Sequence, residues 1–172
     1  GSTVVSTVAG VTIGNAGTVD LDGDVTGATT VTISDVGTEI DLAAGVDITA
    51  SGGNVDLNNT VAQIDLSGTT DTNTISASGS VELANVVDTG TTTATSPVEL
   101  VVTAGTGVTL GTVTLSNTLD VDFDTATGTS TLNAGSLSAG TIEVDGVGTN
   151  DVMNFGSTVV STVAGVTIGN AG

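Results

Sequence analysis

The chain of 172 residues contains no lysine, arginine, histidine, cysteine, tryptophan or tyrosine, one proline and two phenylalanines. Each absence closes a class of function. Without a single cation against 19 acidic residues, the net charge is −19. Binding to nucleic acid, which needs cations to displace phosphate counterions, is thereby disfavoured. Docking on an anionic membrane surface is disfavoured for the same reason. Without cysteine there is no disulfide and no thiolate metal site. No apolar run approaches the ~18 residues of a transmembrane helix. Without histidine, lysine or cysteine a serine nucleophile lacks its usual base. A paired-carboxylate glycosidase is the one conventional mechanism left, and it lacks the aromatic rings on which sugars stack. The residue set therefore points away from an enzyme, and no catalytic residue is assigned. The lack of Lys and Arg also leaves no site for trypsin-type proteases, which suits an extracellular or cell-surface location.

What is present is apolar and β-branched. Hydrophobic residues make up 38% of the chain, almost all of them Val, Ile, Leu and Ala, with Phe123 and Phe155 the two rings. That is too apolar for an acidic disordered segment. The dominant local signal is a triplet of apolar, polar and apolar residues. It appears as Val11-Thr12-Ile13, Val19-Asp20-Leu21, Val31-Thr32-Ile33, Ile40-Asp41-Leu42, Val46-Asp47-Ile48, Val55-Asp56-Leu57 and Ile64-Asp65-Leu66. It continues through Val81-Glu82-Leu83, Val98-Glu99-Leu100, Val108-Thr109-Leu110, Val113-Thr114-Leu115, Leu119 to Phe123 and Ile142-Glu143-Val144. Alternation with a period of two marks half-buried strands. The Gly, Asn, Ser and Asp between triplets, as in Ala50-Ser51-Gly52-Gly53-Asn54, are turn formers. No 3.6-residue period is present, so almost no helix is expected.

Such short strands fit a β-solenoid better than a sandwich, and the shortage of rings fits a narrow core of stacked aliphatic residues. Triplets recur about twenty residues apart, from Val11 to Val31, Val19 to Ile40 and Leu119 to Ile142. The expected fold is all-β, a β-solenoid, with β-sandwich adhesin modules as the alternative. The tracts Asp88–Pro97 and Asp124–Thr131 read as long corners or surface loops.

The first seventeen residues, GSTVVSTVAGVTIGNAG, recur letter for letter at 156–172. The offset gives a period of 155. Residues 1–155 are then one tandem repeat unit of a continuous solenoid, and 156–172 the start of the next identical unit. A turn of ~20 residues gives roughly seven to eight rungs per unit, or ~35–38 Å at ~4.8 Å per rung. Stacking the next copy on an open solenoid end would cover its unpaired backbone groups. Adjacent identical repeats, in the same or neighbouring chains, are the expected partners, and lateral bundling of rods is a further expectation.

The VTI, VDL and IDL triplets with their Gly/Asn turns resemble the right-handed parallel β-helix of filamentous-haemagglutinin-type adhesins and other giant tandem-repeat bacterial surface proteins. The resemblance implies a secreted, elongated protein used as a fibre or for attachment. Two functions follow as expectations: a structural unit of a long extracellular fibre, or a calcium-dependent adhesin repeat.

The acids occupy the polar position of the triplets: Asp20, Asp41, Asp47, Asp56, Asp65, Glu82, Glu99, Asp120, Asp122 and Glu143. In a strand that position faces outward when its neighbours face in. Stacked rungs would bring like charges within ~4.8 Å, which is unfavourable unless solvent or a shared cation intervenes. Asp20, Asp22 and Asp24, spaced alternately around Gly23, resemble the start of a Ca²⁺ loop, and are the candidate metal ligands. The same residues fit an ordinary acidic turn, since no Glu follows to complete an EF-hand. Asp120, Asp122 and Asp124 share the spacing and read as a surface charge row.

Overall fold

The computed structural model describes residues 3–58, 63–67, 71–89, 99–123, 129–146 and 150–169. Within them the chain is all-β and without helix, its strands stacked in parallel as a β-solenoid of about six turns. β1 (Val4–Ser6) lies on a first face, while β2 (Val11–Leu21) starts on a second and bends onto a third. β3 (Val25–Gly27) returns to the first face, setting Val25 on Val4. β4 (Val31–Leu42) retraces β2, with Val31 on Val11 and Ile40 on Val19.

The next layers divide the same path into three strands each. They are β5 (Asp47–Ala50), β6 (Val55–Leu57) and β7 (Gln63–Leu66), then β8 (Asn73–Ala77), β9 (Ser80–Leu83) and β10 (Asn85–Val87). β11 (Glu99–Ala104), β12 (Gly107–Leu110) and β13 (Val113–Thr114) follow. β14 (Thr118–Phe123) and β15 (Thr131–Ala134) lead to β16 (Leu137–Asp145), which runs from the third face onto the first of the next layer. β17 (Val152–Phe155) takes the second face, and β18 (Val159–Ile168) again joins third to first. The antiparallel sheets of a sandwich are not what these pairings build.

The core is a set of columns. On the first face Val4, Val25, Ile48, Ile75, Val102, Val121 and Val144 stack in register. On the second, Val11 is followed by Val31, Val55, Val81, Val108, Leu132 and Met153. The inward members of the middle layers, among them Val31, Ile40, Ile48, Ile64 and Leu100, are fully buried. The alternation read from the triplets is therefore the division between core and surface.

Six steps carry the second-face column from Val11 to Met153. The average turn is thus about 24 residues, near the short end of the ~20–45 found in stacked repeats. It exceeds the turn expected from the triplet spacing, so one repeat unit holds fewer rungs than seven to eight. The reason is where the spacing was visible. Val11–Val31, Val19–Ile40 and Leu119–Ile142 are all true partners, but they sample short turns. The steps from Val55 to Val81 and from Val81 to Val108 are longer, because longer corners separate the strands there.

Several strands escape the triplet pattern because a small residue takes the second inward place. Gly27, Ala50, Ala77 and Ala104 form one such column, which Phe123 completes. Asn73 is a polar residue turned inward; its amide donates to the carbonyls of Ala43 at 2.8 Å and Val46 at 3.4 Å in the preceding layer. The bends inside β2 and β4 are made by Asn15 and Asp35, with φ of 58° and 56°. Asn and Asp enter this left-handed region most readily after glycine. Of the two tracts read as loops, 90–97 and 124–128 lie outside the described residues, and Thr131 already belongs to β15. No helix of the described residues is long and apolar enough to cross a membrane.

Candidate functional site: the outward carboxylate rows

Because partners pair in register, the polar centres of the triplets stack into rows. On the third face Asp20, Asp41 and Asp65 stand directly over one another. The row then continues through Val87, Thr114, Ser138 and Val160, so the charge stops after three layers. Solvation falls along it. Asp20 is exposed, Asp41 is half-buried, and Asp65 is only 8% exposed. Asp65 is thus not part of a solvated skin: Thr89 of the next layer donates both its N–H, at 3.1 Å, and its hydroxyl to the carboxylate. Nearby, Asp41 Oδ1 and both oxygens of Asp88 are buried with no hydrogen-bond partner among the described residues.

The first face carries a different sequence of side chains. Its outward positions run Thr26, Thr49, Ser76, Thr103, Asp122 and Asp145, beside Asp47, Thr74, Val101, Asp120, Glu143 and Thr167. Hydroxyls fill the row from Thr26 to Thr103, where the Thr49 and Ser76 hydroxyl oxygens lie 3.2 Å apart. Carboxylates gather in the two layers above, as Asp120 and Asp122 under Glu143 and Asp145. Asp120, Asp122 and Asp145 bring one oxygen each to within 4.8 Å of the others, the one set of three acids among the described residues that does so. The Asp122 carboxyl is pushed above its ordinary value of 3.8, first by burial and then by the charge of Asp145.

The candidate ligands Asp20, Asp22 and Asp24 are not gathered in this way. Asp20 lies next to the last residue of β2 on the third face, and Asp22 is exposed in the bend that follows. Asp24 turns instead to the next layer, where its Oδ1 accepts the N–H of Asp47 at 3.1 Å. Asp120 and Asp122 do form the charge row expected of them, joined by Glu143 and Asp145; Asp124 lies outside the described residues. Three carboxylates offer up to six oxygens, the lower bound of Ca²⁺ coordination. They also bring two carboxyls, Asp122 and Asp145, face to face, the residue pairing that a two-carboxylate hydrolase uses. The neighbouring ring, Phe123, is 4% exposed and belongs to the core, so it supplies no sugar platform.

A role for side chains that the sequence did not disclose is stitching between layers. Asp24, Asn54, Asp65, Asn85 and Asp151 each accept a backbone N–H from an adjacent layer: those of Asp47, Ser80, Thr89, Thr112 and Ser130. The signal available was an Asn or Asp near the strand ends, indistinguishable from a turn former, and for Asp65 the centre of a triplet, indistinguishable from an outward acid. Comparison of the chain with protein-family models, with curated proteins and with solved structures gave no match.

Proposed function

We propose that the chain is a structural repeat unit of a long extracellular or cell-surface fibre, in which successive units continue one solenoid. The observation that carries this reading is the fate of the repeated segment. Val159–Ile168, inside the second copy of the opening seventeen residues, forms no separate body and pairs along β16 as the next strand of the same solenoid. A rod of this kind needs no active site. Its strength comes from backbone ladders along the axis and aliphatic columns in the core. An acidic surface without Lys or Arg keeps neighbouring rods apart and offers trypsin-type proteases no site. Electron micrographs of chains carrying one, two and four units test it: an unbranched rod should lengthen by roughly 30 Å per unit, at ~4.8 Å per turn. Beads joined by hinges would refute it. Labelling of intact cells with an antibody to the unit tests the location.

The Asp120–Asp122–Asp145 set favours a second reading, in which Ca²⁺ stabilises or bridges the rods in an adhesin. Millimolar Ca²⁺ should then raise the melting temperature more than Na⁺ at matched ionic strength, by mass action on the folded state. Asp122→Asn with Asp145→Asn should abolish the increment, while Asp20→Asn with Asp22→Asn leaves it. Superimposed melting curves would leave the Asp120–Asp122–Asp145 set as a charge row without a bound cation.

A further inference from the structure

The two copies of the repeated segment do not occupy the same face. Val4, the fourth residue of the unit, lies on the first face. Val159, the fourth residue of the next, stacks on Leu137 on the third. Likewise Val11 opens the second face, whereas its counterpart Val166 stacks on Ile142 on the first. The cause is arithmetic. The column begun by Val4 reaches Val144 after six turns and Ile168 after seven. The counterpart of Val4 is Val159, which falls between them, close to two-thirds of the way from the sixth turn to the seventh.

The offset cannot be absorbed by the chain before Val159. To bring that residue to the first face, the chain leaving Phe155 would have to skip the third face. In the layer below, the path from Ala134, the partner of Phe155, to Thr141 on the first face takes seven positions. Only four separate Phe155 from Val159, and a chain cannot exceed ~3.3–3.6 Å per residue.

We infer that each unit docks on the last with its start two faces further round, about six and two-thirds turns on, so that the fibre has a three-unit period. This rests on the fibre reading and specifies its joint. The end of a unit, formed by β16 with β17, accepts the first turn of the identical unit that follows, as β18 shows for its opening residues. Val4 of that unit sits over Leu137, Val11 over Ile142 and Val19 over Met153. Three units make twenty turns, after which side chains realign. The aspartate row that begins at Asp20 then starts above Asn133 and Asn154, whose amides already bond each other at 2.9 Å. Charge rows therefore move from face to face, and no side of the fibre carries an unbroken line of carboxylates.

The chain has no native cysteine, so engineered pairs report the register directly. Parallel neighbours lie within the Cα separation a disulfide spans. Under mild oxidation, Glu143→Cys with Thr167→Cys should lose both free thiols, in the chain described above and in a chain of two complete units. Asn154→Cys with Thr167→Cys should keep them. Closure of the second pair in place of the first would overturn the rotated joint while leaving a continuous fibre standing. Closure of neither, in variants whose circular dichroism matches the parent, would overturn the fibre reading itself. Helical reconstruction of longer arrays gives an independent measure: a rise of about 32 Å per unit with a rotation of two faces onward, the same as one face back, is expected. A rise of about 29 Å or about 34 Å without rotation, the values for six or seven whole turns, would exclude the offset.

Discussion

The same seventeen residues begin and end this chain, and the solenoid treats them differently. At the start, Val4–Ser6 and Val11–Ile13 lie on consecutive faces, separated by a break in the strand. At the end, the equivalent residues run through one strand, Val159–Ile168, onto a different pair of faces. The glycine at the bend differs too. Gly165 has φ +134°, while its counterpart Gly10 keeps an ordinary φ and packs against Thr30. Ser161 and Thr162 hold the second bend by donating their hydroxyls to Gly140 and Ala139. Yet Val8 and Val163 point outward in both, 88% and 82% exposed. The segment thus encodes strand, corner and strand. Which face it occupies is set by the length of chain before it.

The copies also differ from the middle in what covers them, and this gives the largest expected effect. Ile64→Asp places an unpaired charge in a fully buried column and should cost more than about 4 kcal/mol in thermal or denaturant unfolding. Ile168→Asp, at a residue 51% exposed on the uncovered last layer, should cost about 0.5 kcal/mol. In a chain of two complete units the second change should become as damaging as the first. Equal effects in the single-unit chain would mean the end is already covered.

Next comes the corner that feeds the second copy. Gly146 has φ +72°, and a Cβ there would press on the Phe123 carbonyl. Gly146→Ala should cost about 1–3 kcal/mol, and hydrogen exchange should show β17 and β18 loosening before the first layers. Uniform loosening would contradict a layer-by-layer solenoid.

A smaller effect separates stitching carboxylates from exposed ones. Asp24→Ala removes the acceptor of the Asp47 N–H and should cost about 0.5–1.5 kcal/mol. Asp22→Ala, at an exposed residue of the same motif, should stay within about 0.5 kcal/mol. The reverse order would return the motif to a shared-ligand role.

The smallest effect concerns pH. Because the folded-state value of Asp122 is raised, its contribution to stability is fully present below 3.8 and is lost as pH rises through the folded value. Asp122→Asn should therefore stabilise the protein at neutral pH by about 0.2–1 kcal/mol, the scale of a solvent-screened cross-strand charge pair. It should bring no gain well below pH 3.8. A variant whose melting temperature tracks the parent at every pH would show that Asp122 and Asp145 do not sense each other.

The sequence by itself determined the strand class, the in-and-out order of residues such as Ile40-Asp41-Leu42, and the partners Val11–Val31 and Leu119–Ile142. Alternation is a property of neighbours along a strand, so it is written locally. Strands ending in Gly27, Ala50 or Ala77 were hidden, because small residues fill an inward column without an apolar signature. The tertiary structure alone decided the length of the turn, the face given to each copy, and the fate of individual acids. Asp20 meets solvent, Asp65 meets Thr89 and Asp122 meets Asp145, although all three hold the same place in a triplet. The reason is that stacking joins residues a full turn apart, and the corners between them vary in length. What stands above a carboxylate depends on the sum of those corners, which no local pattern records.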